Sequence, residues 1–88
     1  MQRQEALKLI EQEELNKYRR FSFTGENLTE NMTAVRKTND GYECIDVDER
    51  GGVEVVDTFD NEEEAIDKLI EGLRVFKRFA ERRNRRRR

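Results

Sequence analysis

Carboxylate side chains are the residues of this 88-residue chain whose types and spacing could do chemistry. Nine of them lie around one turn and the start of the last predicted helix: Asp46, Asp48, Glu49, Glu54, Asp57, Asp60, Glu62, Glu63 and Glu64. If the turn folds as a hairpin, we expect these groups to converge at one sheet edge and one helix start. Such a surface suits a basic partner and speeds its association. The alternative is that the glutamates stabilise the positive end of a helix dipole and that the turn acids are merely solvated.

The residue types argue against catalysis and against a metal site. The chain has no histidine, which excludes imidazole catalysis. Asp46 and Asp48 are spaced like ligands of a calcium loop, but the glycine and the distal glutamate are not at EF-hand positions. The sequence also lacks a nucleophile–base pair and a phosphate-binding glycine loop. We therefore predict a protein that is not an enzyme and that uses no cofactor.

The net charge of −2 is the sum of two unlike parts. Six of the last seven residues are arginines, namely Arg82, Arg83, Arg85, Arg86, Arg87 and Arg88. Subtracting these six positive charges from −2 leaves residues 1–81 at −8, so the body is acidic. Residues 82–88 could neutralise the phosphates of a nucleic acid, with strong salt dependence. Blocks of like charge are more often disordered tails, and we predict such a tail here.

Length and cysteine content indicate one small domain in a reducing compartment. The length allows a single domain with a thin core, which we place at residues 1–81. Cys44 is the single cysteine, so no internal disulfide can form. The sequence shows neither an apolar run of membrane-spanning length nor the apolar core of a signal peptide. We expect a cytoplasmic protein.

Hydrophobic periodicity and turn residues predict the fold class α+β, with the order α-β-β-β-β-α. Helices are predicted over residues 3–18 and from Asp60 or Asn61 onward, and strands over residues 20–24, 32–38, 42–47 and 53–59. The two helices should pack against an antiparallel sheet of three to four strands. The apolar stripe of the last helix should cover this sheet and comprises Ile66, Leu69, Ile70, Leu73, Phe76 and Ala80. Val75 and Phe79 project away from the stripe and, like an unpaired sheet edge, offer a route to a homodimer.

A series of turn and cap motifs follows a defined order along the chain. The motifs are Phe21-x-Phe23-x-Gly25-Glu26-Asn27, Asn31-Met32-Thr33, residues 36–42, Asp48-Glu49-Arg50-Gly51-Gly52, and Phe59-Asp60-Asn61-Glu62 leading to Ala65. In this order they resemble a family of small bacterial immunity proteins from polymorphic toxin and contact-dependent inhibition systems. The resemblance implies a protein that binds and neutralises a cognate toxin, and it supplies no catalytic residues.

The functional hypothesis is therefore an acidic surface that occludes the active site of a toxin, for example a nuclease. The residues expected to contact this partner are Asp46, Asp48, Glu49, Arg50, Asp57, Glu62 and Glu63. The alternative is a small nucleic-acid-binding module that uses the basic segment 82–88 for phosphate contacts. A DNA mimic that acts on several host enzymes would share the acidic surface and differ in the range of its partners.

Overall fold

Two helices lie on one face of a four-stranded sheet in the computed structural model, which describes residues 1–86. The elements are α1 (Arg3–Glu13), a 3-10 helix (Leu15–Lys17), β1 (Arg20–Ser22), β2 (Met32–Lys37), β3 (Tyr42–Val47), β4 (Val53–Phe59) and α2 (Glu62–Arg86). The strands lie side by side in the order β1-β2-β3-β4. The predicted fold class and the order α-β-β-β-β-α are confirmed.

The sheet is mixed, which corrects the expectation of a purely antiparallel sheet. β1 runs parallel to β2 and is shorter than the predicted strand 20–24, whereas β2, β3 and β4 form an antiparallel meander. The parallel pairing is possible because residues 23–31 are long enough to carry the chain back to the start of β2. Leu28 of this loop packs on the sheet face opposite the helices, and a Cβ on Gly25 would collide with Arg36.

The first helix ends earlier than the predicted boundary at residue 18. Glu14 adopts the left-handed conformation, with φ of 55°, and its backbone N–H bonds the carbonyls of Ile10 and Glu11. This cap breaks the helix and turns Leu15 into the core, where its side chain is 1% exposed. The 3.6-residue spacing of Leu7, Ile10, Leu15 and Tyr18 predicts one apolar side for this segment. Ile10 and Leu15 are buried, whereas Leu7 is exposed.

The core has two layers, one on each face of the sheet. On the helix face, α1 and α2 pack on Val35 and Cys44, with the largest contribution from Ile66, Leu69, Ile70 and Leu73 of α2. On the other face, Met32, Ala34, Ile45 and Val47 form a smaller cluster under the loop 23–31. This arrangement leaves β4 as an exposed edge strand.

Helix α2 begins at a side-chain cap and continues well past the sheet. The Asn61 Oδ1 atom accepts a hydrogen bond from the Glu64 backbone N–H at 2.9 Å, so the cap predicted at residue 60 or 61 is Asn61. The helix runs through Arg86, so it extends into the segment 82–88 for which we predict a disordered tail; residues 87 and 88 lie outside the described part of the chain. Arginine is a good helix former and is favoured at a helix C-terminus, and no glycine or proline interrupts the segment.

Candidate functional site

The turn between β3 and β4 is built around the carboxylate of Asp48. Its Oδ1 atom accepts hydrogen bonds of 2.8 Å from the backbone N–H groups of Arg50 and Gly52. Gly51 adopts a φ of 83°, a conformation that glycine reaches without steric cost. The side chain of Asp48 therefore shapes the turn, while Glu49 and Arg50 are left exposed at its tip.

An open hollow of about 510 Å³ lies beside this turn on the helix face of the sheet. Its lining includes four carboxylates, which belong to Asp46, Asp48, Glu49 and Glu54. Val53 and Phe76 add apolar surface to the same wall. We call this region the acidic hollow. The structure thus brings together three of the seven expected partner-contact residues, Asp46, Asp48 and Glu49, beside the exposed tip residue Arg50.

A buried arginine, Arg19, closes the inner end of the acidic hollow. Its guanidinium donates hydrogen bonds to Thr33 Oγ1 at 2.7 Å, to the Met32 carbonyl at 3.0 Å and to the Val47 carbonyl at 3.4 Å. Thr33 Oγ1 in turn donates to Asp46 Oδ1 at 2.8 Å, and the Arg19 Nη2 atom lies 3.6 Å from the same carboxylate oxygen. The side chain is 8% exposed, so this network fixes both its position and that of Asp46.

The electrostatics of the hollow remain negative despite this arginine. Burial lowers the pKa of Arg19, and the neighbouring Asp46 carboxylate opposes that shift. Arginine nevertheless stays protonated in proteins, so one positive charge faces four carboxylates. The Arg19 guanidinium carbon also lies 3.9 Å from the centre of the Phe76 ring, a cation–π distance. Three negative charges are left for a partner to neutralise.

The remaining expected contact residues lie elsewhere, so the predicted convergence of all the acids is wrong. β3 and β4 pair Val47 with Val53 at the turn and Tyr42 with Phe59 at the other end. Because α2 begins just after Phe59, Glu62 and Glu63 lie at that far end, ~20 Å from the turn along the seven-residue strand β4. Glu62 there binds Arg3, with Nε–Oε1 at 2.9 Å.

Asp57 is also separate from the hollow. It lies on β4 next to a register shift, where Val56 is left without a partner residue on β3. Its Oδ1 atom accepts a hydrogen bond from the Thr58 backbone N–H at 2.8 Å. Asp57 therefore lies on the exposed edge strand, between the two ends of the sheet that hold the other acids.

Two residues of the hollow were not expected as functional residues. Arg19 has no local sequence signal, because its partners Met32, Thr33 and Val47 are brought to it by the sheet. Phe76 was predicted to cover the sheet, but it is 37% exposed since α2 has by then reached the end of the meander. The helical spacing of the apolar stripe correctly predicts that Phe76 lies on the sheet side of α2. The same spacing contains no information on where along α2 the sheet ends.

The thiol of Cys44 is explained by its place in the core. Cys44 is 1% exposed, and burial raises the pKa of its thiol to about 12, so the reactive thiolate is suppressed. Among residues 1–86, no three acidic or cysteine side chains are placed to hold a metal ion. None of the helices in that range has both the length and the apolar character of a membrane span.

The C-terminal part of α2 forms a second exposed surface, with the opposite charge. Arg78, Arg82 and Arg83 are exposed there, next to Val75 and Phe79. Val75 is 39% and Phe79 57% exposed, as expected for residues that project away from the buried stripe. We call these five residues, together with Phe76, the helix overhang.

Comparison with protein-family models, with curated proteins and with solved structures found no significant match.

Proposed function

We propose that this chain is a binding protein that neutralises a cognate bacterial toxin by covering its active site, in the manner of the small immunity proteins whose motif order it resembles. The observation that carries the proposal is the acidic hollow, in which four carboxylates surround exposed apolar surface. The partner surface would be basic, as in the binding groove of a nuclease. In this proposal the chain acts in the cytoplasm, needs no cofactor and performs no catalysis.

The composition of the hollow supports a protein partner. Interfaces combine apolar anchors with charged groups that set orientation and association rate. Phe76 and Val53 supply exposed apolar surface, and Glu49 and Glu54 lie beside them with no role in holding the turn. Asp46 is held in place by Arg19 and Thr33, so its carboxylate is pre-oriented and little freedom is lost on binding.

The proposed inhibition works by occlusion. A lysine or arginine from the rim of the toxin's active site would enter the hollow and pair with Glu49 or Glu54, while Phe76 contacts its aliphatic stem. Arg50 at the tip of the turn would reach past the hollow to an acidic or backbone group of the toxin. The acids at the other end, Glu62 and Glu63, would belong to the contact only if the toxin spans the whole sheet.

Co-expression with the protein encoded beside this chain's gene tests the proposal. We expect that partner to arrest growth alone, to be neutralised by this chain and to co-purify with it. The variant Glu49→Lys/Glu54→Lys should lose rescue, with affinity reduced about 100-fold, which corresponds to about 2.7 kcal/mol. Glu5→Lys/Glu11→Lys on exposed positions of α1 makes the same charge change and should retain rescue. The proposal fails if the neighbouring protein neither arrests growth nor binds.

Nucleic-acid binding is the second candidate, and one observation favours it. The arginines continue as helix through Arg86, so Arg78, Arg82 and Arg83 form an exposed basic surface on a regular element. A titration of duplex DNA and of single-stranded RNA at 50 and 200 mM salt, with and without residues 82–88, separates the candidates. Tail-dependent affinity that falls at least tenfold between the two salt concentrations would support nucleic-acid binding. Binding too weak to measure at 50 mM salt would exclude it.

A further inference from the structure

The helix overhang begins where Phe76 still contacts Arg19 and continues along α2 to exposed residues at its C-terminal end. Twenty-five residues of α2 span about 37 Å, whereas the seven residues of β4 beneath it span about 23 Å. Near the C-terminal end of α1, Arg74 and Lys77 of α2 donate hydrogen bonds to Glu13. Beyond them Phe79 is 57% exposed, more than any other large hydrophobic residue in the described part of the chain.

The exposed residues of the overhang share one side of the helix. Phe76, Phe79 and Arg83 follow a spacing of three and four residues, and Val75 and Arg82 border them. An apolar stripe of this kind, flanked by arginines, suits a surface that is apolar at its centre and acidic at its border. The acidic hollow has this composition, because Phe76 and Val53 stand among its carboxylates.

From this complementarity we propose that a second copy of the chain covers the overhang in a two-fold dimer. The two α2 helices cross in opposite directions at Phe79, so that Phe79 contacts the same residue of the other copy. By symmetry, Arg82 of each copy then lies opposite Phe76 of the other, since both are three residues from the crossing point. Phe76 lines the acidic hollow, and Arg82 and Arg83 of one copy therefore meet Glu49 and Glu54 of the other.

Pairing of two copies through the edge strand β4 would give a different dimer, and β4 is the less suitable surface. Pairing two copies of β4 across their centres is disturbed by the register shift at Val56, which puts facing residues on opposite sides of the sheet. Glu54 and Asp57 also place negative charge along this edge, and such charges protect edge strands from pairing. The helix overhang has neither obstacle. The dimer contact and the proposed toxin contact both use Glu49 and Glu54, so toxin binding would displace the second copy. The test below measures the dimer without a toxin, and its outcome is therefore separate from that of the proposed function.

A charge exchange tests the dimer. Sedimentation equilibrium at 50 mM salt and 10–200 μM protein should give twice the monomer mass for the wild type, and raising the salt to 500 mM should weaken the dimer at least tenfold. Arg82→Glu/Arg83→Glu leaves two acidic surfaces facing each other, and Glu49→Lys/Glu54→Lys leaves two basic ones. Each variant alone should be monomeric, and their equimolar mixture should form a heterodimer because both contacts then join opposite charges.

Two further variants complete the experiment. Lys8→Glu/Lys37→Glu makes the same charge change as the arginine variant on exposed positions away from α2, and it should remain dimeric. Phe79→Ser should be monomeric. At a protein concentration low enough for the wild type to be monomeric too, its unfolding midpoint should equal that of the wild type, because this ring does not pack in the core. A monomeric wild type at 200 μM, or two charge variants that stay dimeric or fail to pair when mixed, would overturn the proposal.

Discussion

At the scale of single residues, Arg19 connects the core to the candidate site. Its guanidinium bridges the ends of β2 and β3 through two backbone carbonyls and through Thr33, and its charge is matched by Asp46. The face of the same group lies on Phe76 of α2. One side chain therefore holds the strand ends, orients a carboxylate of the hollow and seats the helix that borders it.

Replacing Arg19 with methionine should cost about 1–3 kcal/mol of unfolding free energy, because Asp46 is partly exposed and keeps its hydrogen bond from Thr33. The substitution keeps an aliphatic stem but leaves Asp46 without its ion-pair partner and the strand carbonyls without donors. Urea denaturation at pH 7 measures the loss. Arg20→Met is the matched control, since Arg20 is exposed and its hydrogen bond to Thr29 is at the surface, and its cost should stay below about 1 kcal/mol. Equal losses for the two variants would show that the buried network contributes little.

At the scale of elements, α1 is attached to α2 at both of its ends. The Arg3 side chain binds Glu62 at the start of α2. The Glu13 carboxylate accepts hydrogen bonds from Arg74 Nε at 2.9 Å and from Arg74 Nη2 at 2.6 Å. Lys77 also donates to the backbone carbonyl of Glu13. Between these pairs the buried contacts come from small or aliphatic side chains such as Ala6 and Ile10. The ion pairs thus set the alignment of a helix that has little apolar surface.

Arg74→Met should destabilise the protein by less than about 1 kcal/mol at pH 7, because the pair is partly exposed. The hydrogen bond from Arg74 lowers the pKa of Glu13 below its ordinary value of 4.5 in the folded protein. The stabilisation is therefore complete above pH 4.5 and disappears as the pH falls through the lowered pKa. Thermal unfolding of wild type and variant at several pH values between 2 and 7 should show two curves that converge at the acid end. A constant difference down to pH 2 would assign the effect of Arg74 to packing.

At the scale of the whole molecule, opposite charges are separated in space as well as in sequence. The acidic hollow lies beside the last turn of the meander, and α2 passes it before presenting Arg78, Arg82 and Arg83. The residues that form both core layers lie between Ala6 and Leu73. The core thus lies between Ala6 and Leu73, whereas the exposed arginines Arg78, Arg82 and Arg83 follow it in the chain.

Deleting residues 82–88 should leave the fold intact while removing six positive charges. We expect the unfolding midpoint in urea to change by an amount equivalent to less than about 1 kcal/mol, because Arg82 and Arg83 are exposed and the buried core residues described lie between Ala6 and Leu73. Circular dichroism should show a loss of helix signal that matches the shorter α2. A large loss of stability would mean that the basic end folds back onto the acidic body.

Much of the fold could be predicted because local patterns specify it. Alternation from Tyr42 to Val47 and the turn at Asn39-Asp40-Gly41 mark the meander, and Asn61 marks the start of α2. The direction of β1 could not be predicted, because three residues can pair with β2 either way. Its direction depends on where the loop 23–31 packs Leu28, which is a long-range contact.

The candidate site was predictable only in part, because some of its residues are brought together by long-range contacts. The turn brings Asp46, Asp48 and Glu49 together, and these residues are close in sequence. Glu62 and Glu63 also follow the turn closely in sequence. However, β4 carries the chain to the opposite end of the sheet before α2 begins. Arg19 and Phe76 enter the hollow from segments far apart in the chain.

The parallel pairing of β1 with β2 has a consequence for the order in which the chain folds. β2, β3 and β4 are joined by short turns, so their contacts close small loops and can form within microseconds. β1 can add to this meander only after residues 23–31 have crossed the far face, and α1 can dock only after α2 has done so. We therefore expect a transition state in which the hairpins are formed and the N-terminal third of the chain is still unstructured, with the rate set by the meander and α2.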